Sequence, residues 1–372
     1  MKNWLISLMI LVAFAAAAPA QTSVRLGGPD AGKSGAVVRR AADSAEAPVS
    51  GPTLGVVVDR SAAGIRRLAG FPGWASMEEP FALETSFADA WTAPQQDYLL
   101  GVAAENGGLT VLLTGRGLVT GSRALASVPP SPDRVEFSPS GRAVALYYRE
   151  AAKLIAISGM PLDPAVSGEW DLASWGAGLT ALAVADSGRL ALAGVPGSVV
   201  ALEPNAAPRT ALAAVDPSAL RFTWNGTDAV VADRGRNEVL WLRDPSGAAA
   251  AELLLGEAQG LARPAELALS QDGRLLTVRM ENSSAVMVYD TGAATLRQFE
   301  CGREPSMLRP LNGTYAYQLT AGPGPLLALD ADPEAARIFA IDDGSAGGGA
   351  RRKAAGPPGR GGRPTTPRGG AR

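Results

Sequence analysis

The sequence contains no histidine and a single cysteine, Cys301, which removes much of the chemistry that side chains can perform. Without imidazole there is no Ser-His-Asp triad, no Cys-His dyad and no His-ligated zinc, copper or haem. The carboxylates that could serve as acid, base or calcium ligand are the pair Glu78-Glu79 and the isolated Asp186, Asp233 and Asp272. Asp186 and Asp272 lie in or beside glycine turns, where a short carboxylate accepts bonds from neighbouring backbone amides. Asp233-Arg234 ends a strand-like run and repeats the form of Asp59-Arg60, so it reads as part of a recurring scaffold. No D-x-D-x-D-G calcium loop and no Gly-rich phosphate loop ending in Lys-Ser/Thr occurs. No catalytic, cofactor-binding or metal-binding residue is therefore assigned, with calcium on an oxygen-only set the alternative. Cys301 follows a run ending at Phe299 and reads as a small core residue, with a reactive thiol the alternative.

Two groups could bind rather than react. Residues 70–85, GFPGWASMEEPFALET, form a non-periodic insertion that collects Phe71, Trp74, Met77 and Phe81 around two glutamates. Apolar anchors with acidic flanks on a long loop suit a protein, peptide or glycan partner; the alternative is that these rings cover the end of a core. The tail from residue 344 carries Arg351, Arg352, Lys353, Arg360, Arg363, Arg368 and Arg372 and no acid. It could contact a polyanion or an anionic envelope surface through counterion release. It has no aromatic residue to stack on bases, so specific nucleic-acid recognition is not expected. Setting aside these seven charges and Lys2 takes the net charge from −2 to −10, so an acidic body precedes a basic tail.

The elements that must position these residues follow from a repeat. A tight turn, an alternating apolar strand, a polar break and a second apolar strand recur six times, most clearly in LSQDGRLLTVRMENSSAVMVYD (269–290) and FTWNGTDAVVADRGRNEVLWLRD (222–244). Anchored on Gln96, Gly141, Gly188, Gly226, Gly273 and Gly313, the units are 45, 47, 38, 47 and 40 residues apart. That spacing, a period of two within short runs, and Gly, Pro, Asp and Asn clusters between them fit four-stranded propeller blades. The Asn-Gly-Thr triplets at 225–227 and 312–314 fall in these turns and read as turn chemistry before glycosylation. The expected fold is all-β: a β-propeller of four-stranded antiparallel blades over 53–343. Seven blades are expected, with six the alternative, and the closing blade would mix the strand pair at 54–58 and 65–69 with strands from the other end of the chain.

Particular blades resemble known repeat families. VVADRGRNEVLWLRD (230–244) resembles the NHL type, LSQDGRLLTVRMENSSAVMVYDTG the YVTN type of bacterial surface and periplasmic proteins, and FSPSGRAVALYY the WD and TolB-like blades. The Trp-Asp dipeptide of true WD repeats is absent from strand ends. The whole is similar to uncharacterised secreted bacterial propellers, which implies a fold and a compartment. Propeller lyases with a His-bound metal are poor models for a chain without histidine. Residues 1–20, with Lys2, an apolar run from Trp4 to Ala17 and small residues before Gln21, read as a signal peptide, an uncleaved anchor being the alternative. Residues 21–52 read as a flexible leader and 344–372 as a disordered Gly/Pro/Arg tail. No further run is long enough to span a bilayer. The expectation is a secreted or periplasmic monomer that binds without catalysis. The alternatives are a carboxylate-dependent hydrolase or lyase working in the channel, with or without calcium, and an envelope-docking module acting through the tail.

Overall fold

The computed structural model describes residues 51–59, 64–175, 178–321 and 324–342. The expected signal peptide, almost all of the leader and the basic tail lie outside the described residues. Consecutive strands fold into seven antiparallel sheets, which makes the chain a seven-bladed β-propeller. The blades cover 53–80, 87–124, 134–171, 181–213, 217–255, 264–300 and 309–341.

Composition explains the order of strands from channel to rim. Second strands such as Ala143–Tyr148 and Ala229–Asp233 are buried throughout, because both faces of the sheet are covered by neighbouring blades. Outer strands such as Leu118–Ala124 and Thr295–Glu300 alternate or are exposed. Seven apolar clusters fill the seven spaces between adjacent blades. One joins Tyr98 and Leu100 of blade 2 to Leu146 and Ile157 of blade 3. Another joins Leu54, Val57 and Leu68 of blade 1 to Leu311, Ala328 and Ile341 of blade 7. The ring is therefore closed by side-chain packing.

Closure differs from the sequence expectation, since among the described residues no blade mixes the two ends of the chain. The strands Thr53–Asp59, Gly64–Ala69 and Ser76–Pro80 form their own three-stranded sheet, and blade 7 is complete without them. Residues 70–85 are likewise more than an insertion, because Ser76–Pro80 is the outer strand of blade 1, with Met77 opposite Leu68.

The first strand of blade 1 runs against the inner strands of the other blades. Its start meets an inner turn of blade 7, where the Asn312 amide donates to the Leu54 carbonyl at 2.8 Å. Its end reaches the start of the inner strand of blade 2, where Val58 and Asp59 share a cleft with Phe87 and Asp89. Direction and burial match a second strand. Blade 1 thus supplies second, third and fourth strands, and no innermost strand among the described residues.

The inner turns are repeated devices. Gly141, Gly188, Gly226 and Gly273 sit at φ between 67° and 74°, a region glycine enters without steric cost. Gln96 takes the same place in blade 2 with φ 59°. In blade 7 the turn begins at Leu311, whose amide donates to Ala316 as that of Ser138 does to Ala143. Thr314, and not Gly313, therefore holds the glycine's place there.

Candidate binding site at the channel mouth

The inner turns define a common register. In six blades a backbone amide bonds to a carbonyl five residues on, at 2.8–3.0 Å: Ala93 to Tyr98, Ser138 to Ala143, Ala185 to Leu190, Thr223 to Asp228, Ser270 to Leu275 and Leu311 to Ala316. Two residues before each turn stand Trp91, Glu136, Ala183, Arg221, Ala268 and Arg309. All six line one cleft of about 930 Å³, partly open to solvent, on the face carrying these turns. They form a ring in the channel, one from each blade that has an inner strand.

Size and charge alternate around this ring. Ala183 stands between Glu136 and Arg221, and its small side chain lets Arg221 reach across to pair with Glu136. Arg221 Nε also donates to the Leu267 carbonyl of the next blade at 3.0 Å. Arg309 pairs with Gln318 through its backbone, but its side chain has no hydrogen bond or ion pair among the described residues. Deeper in the channel, Arg134 donates to the Thr180 carbonyl at 2.7 Å. Burial pulls its guanidinium below the ordinary value, with Glu136 opposing and Arg221 and Arg309 adding to the fall. Glu266 accepts the Leu308 amide at 2.6 Å and meets Arg279 at 3.3 Å. Both channel glutamates are thus occupied by donors.

Above the ring the mouth is apolar. Phe137, Trp224, Pro94 and Pro139 surround it, with Gln95 and Gln271 at the rim. Phe137 is braced edge-on against Tyr98, ring centres 5.8 Å apart. Trp224 sits in a turn closed by Asn225, whose Oδ1 accepts the Thr227 amide at 2.9 Å. Such a mouth offers ring faces and apolar edges, and beneath them a guanidinium.

The residues singled out in the sequence lie elsewhere and are not brought together. Phe71 and Trp74 share a turn and are 63% and 86% exposed, whereas Met77 packs into the core between blades 7 and 1 and Phe81 into that between blades 1 and 2. Asp233 is fully buried and accepts the amides of Val215, Asp216 and Gly235 at 2.8–3.0 Å. Asp186 accepts the Ser140 amide and hydroxyl of the preceding blade, and Asp272 accepts the Tyr315 hydroxyl of the next blade at 2.6 Å. These carboxylates are scaffold. Among the described residues no three acids or thiols lie close enough to hold a metal. Cys301 is buried, and burial, with Glu300 adding, pushes its thiol up to about 11, which keeps it protonated at neutral pH. The seven basic tail residues lie outside the described residues. The channel ring carried a signal in the sequence: a charged residue in the same place of otherwise apolar inner runs, as in RVEFSPSG, LRFTWNG and LRPLNG.

Fold and site together define a seven-bladed propeller with an aromatic channel mouth. No family model matches the chain, and no curated protein matches it. Solved structures do resemble it. A protein of unknown function from Desulfotomaculum acetoxidans superposes with TM-score 0.51 at 16% identity, over 78% of this chain and 99% of its own. A Bacteroides uniformis protein, provisionally described as a 6-phosphogluconolactonase, gives 0.53 at 14% identity over 78% and 96%. One from Bacteroides fragilis with the same provisional description gives 0.52 at 13% over 78% and 93%. At such identities the likeness carries the fold alone.

Proposed function

We propose that this chain is a non-catalytic binding propeller whose ligand, a peptide or protein segment before a glycan, enters the channel through the aromatic mouth. The observation that carries this reading is the pairing of that mouth with a charged floor whose carboxylates are already engaged. An apolar concavity with a few convergent polar groups is the common form of a ligand site. A general base must instead be free to take a proton, whereas Glu136 is paired with Arg221 and Glu266 holds two donors. The apolar run from Trp4 to Ala17 supports export, so the ligand would be met outside the cytoplasm.

A peptide and glycan array compared between the wild type and Trp224→Ala tests this. Binding should drop at least tenfold in the variant, about the 1–3 kcal/mol carried by one aromatic anchor, with circular dichroism unchanged. Array binding that survives Trp224→Ala and Trp91→Ala would overturn the reading. So would turnover of an ester, lactone or glycoside panel abolished by Glu136→Gln.

A further inference from the structure

We propose that Arg309 anchors a carboxylate, that of the C-terminal end of an extended peptide inserted through the mouth. The inference rests on the binding reading above and names its ligand. Arg309 holds the ring position that Glu136 and Arg221 hold in their blades, and the ring's one carboxylate is already taken by Arg221. The other charged groups around it are engaged as well: Glu266 by Leu308 and Arg279, Arg134 by the Thr180 carbonyl. A guanidinium keeps its charge in such a channel, and its fork of N–H donors matches a carboxylate in two parallel bonds.

The space beside Arg309 fits an extended chain end. On one side Ala268 presents only a methyl group. On the other, blade 1 supplies no inner strand among the described residues, and a small cleft, partly open to solvent, lies between Val56, Val58, Trp91, Met307 and Arg309. The polar side chains in these walls, Thr92, Gln96 and Gln318, already donate to the Val56, Pro310 and Thr320 carbonyls, which leaves few donors for sugar hydroxyls and favours an apolar residue beside the carboxylate over an acidic glycan. The edge of the first strand facing this cleft pairs with no strand among the described residues. At Val56 it is capped by side chains: Gln96 Oε1 accepts the amide at 2.6 Å and Thr92 Oγ1 donates to the carbonyl at 3.3 Å. Backbone groups alternate sides along a strand, so those of Val58 point the same way as those of Val56. No cap meets them among the described residues, and they can pair with the backbone of an added extended segment.

The test uses the full chain and N-acetylated tripeptides ending in Phe, Leu or Trp, each as free acid and as C-terminal amide, titrated calorimetrically. The acids should bind about 10- to 100-fold more tightly than the amides, the worth of a charge-assisted bidentate contact. Arg309→Gln should bring the acid down to the amide's affinity and leave the amide unchanged, while Arg309→Lys should restore part of the difference. Equal binding of acid and amide to the wild type would overturn the inference, as would a difference that persists in Arg309→Gln. If acid and amide bind alike and both are lost on Trp91→Ala, Arg309 loses its role while the mouth keeps its own. If neither form binds and an acidic oligosaccharide does, the peptide ligand is excluded.

Discussion

Asp228 shows what the acids of this molecule do. Its Oδ2 accepts from Trp241 Nε1 at 3.1 Å and from Arg243 at 3.0 Å, and its Oδ1 from the Asp244 amide at 3.2 Å. Burial pushes the carboxyl up, but these donors together with Asn225 outweigh it and hold it below the usual range. A depressed folded value contributes stability that is complete above the unfolded value of about 3.9 and drains away as pH falls through the folded one. Asp228→Asn should therefore cost about 2 kcal/mol at pH 7, the order of a lost charge-assisted bond. The gap from the wild type should narrow in urea titrations taken below about pH 4. A gap independent of pH would show that charge plays no part in this turn.

At the scale of the element, the inner turn of blade 2 is the informative case. Gln96 spends a positive φ where blades 3 to 6 use glycine, and its side chain explains the cost. Oε1 accepts the Val56 amide of blade 1 and Nε2 donates to the Pro310 carbonyl of blade 7 at 2.8 Å, so one amide group clasps three blades across the seam. Gln96→Ala keeps the strained backbone and loses both bonds, and should lower stability by about 2–3 kcal/mol. Gln96→Gly relieves the strain and should lose about 1 kcal/mol less. Urea midpoints at constant slope would rank the two variants, and a glycine variant as stable as the wild type would remove the clasp from the account. The same turns show how far the sequence could be read. Their spacing was legible because glycine and alternating apolar residues mark blade starts in any propeller. The outer strand Ser76–Pro80 was not, because all its residues but Met77 are exposed and it carries no apolar alternation. The channel ring was half legible: a glutamate or arginine two residues before a turn is visible in the sequence. That Glu136 and Arg221 pair across Ala183, and that Arg309 is left over, depends on how six inner strands converge.

For the whole molecule, the seam between blades 7 and 1 should be the weakest sector. Blade 1 has three strands among the described residues, and its outermost, Ser76–Pro80, is largely exposed. Amide exchange should register this: Gly64–Ala69 and Thr53–Asp59 should exchange ahead of the second and third strands of blades 3 to 5, which are buried between complete neighbours. Uniform protection around the ring would mean that side-chain packing alone makes the seam as firm as the rest.

The incomplete blade also settles a question of orientation. Seven identical sectors would present an entering chain with seven equivalent ways to lie, and an axis gives no preference among them. Among the described residues one sector has no inner strand, and the unengaged Arg309 side chain stands next to it. The channel acquires a compass bearing, and the proposed elongated guest would have one azimuth in which its end, its backbone and its side chain are all met at once.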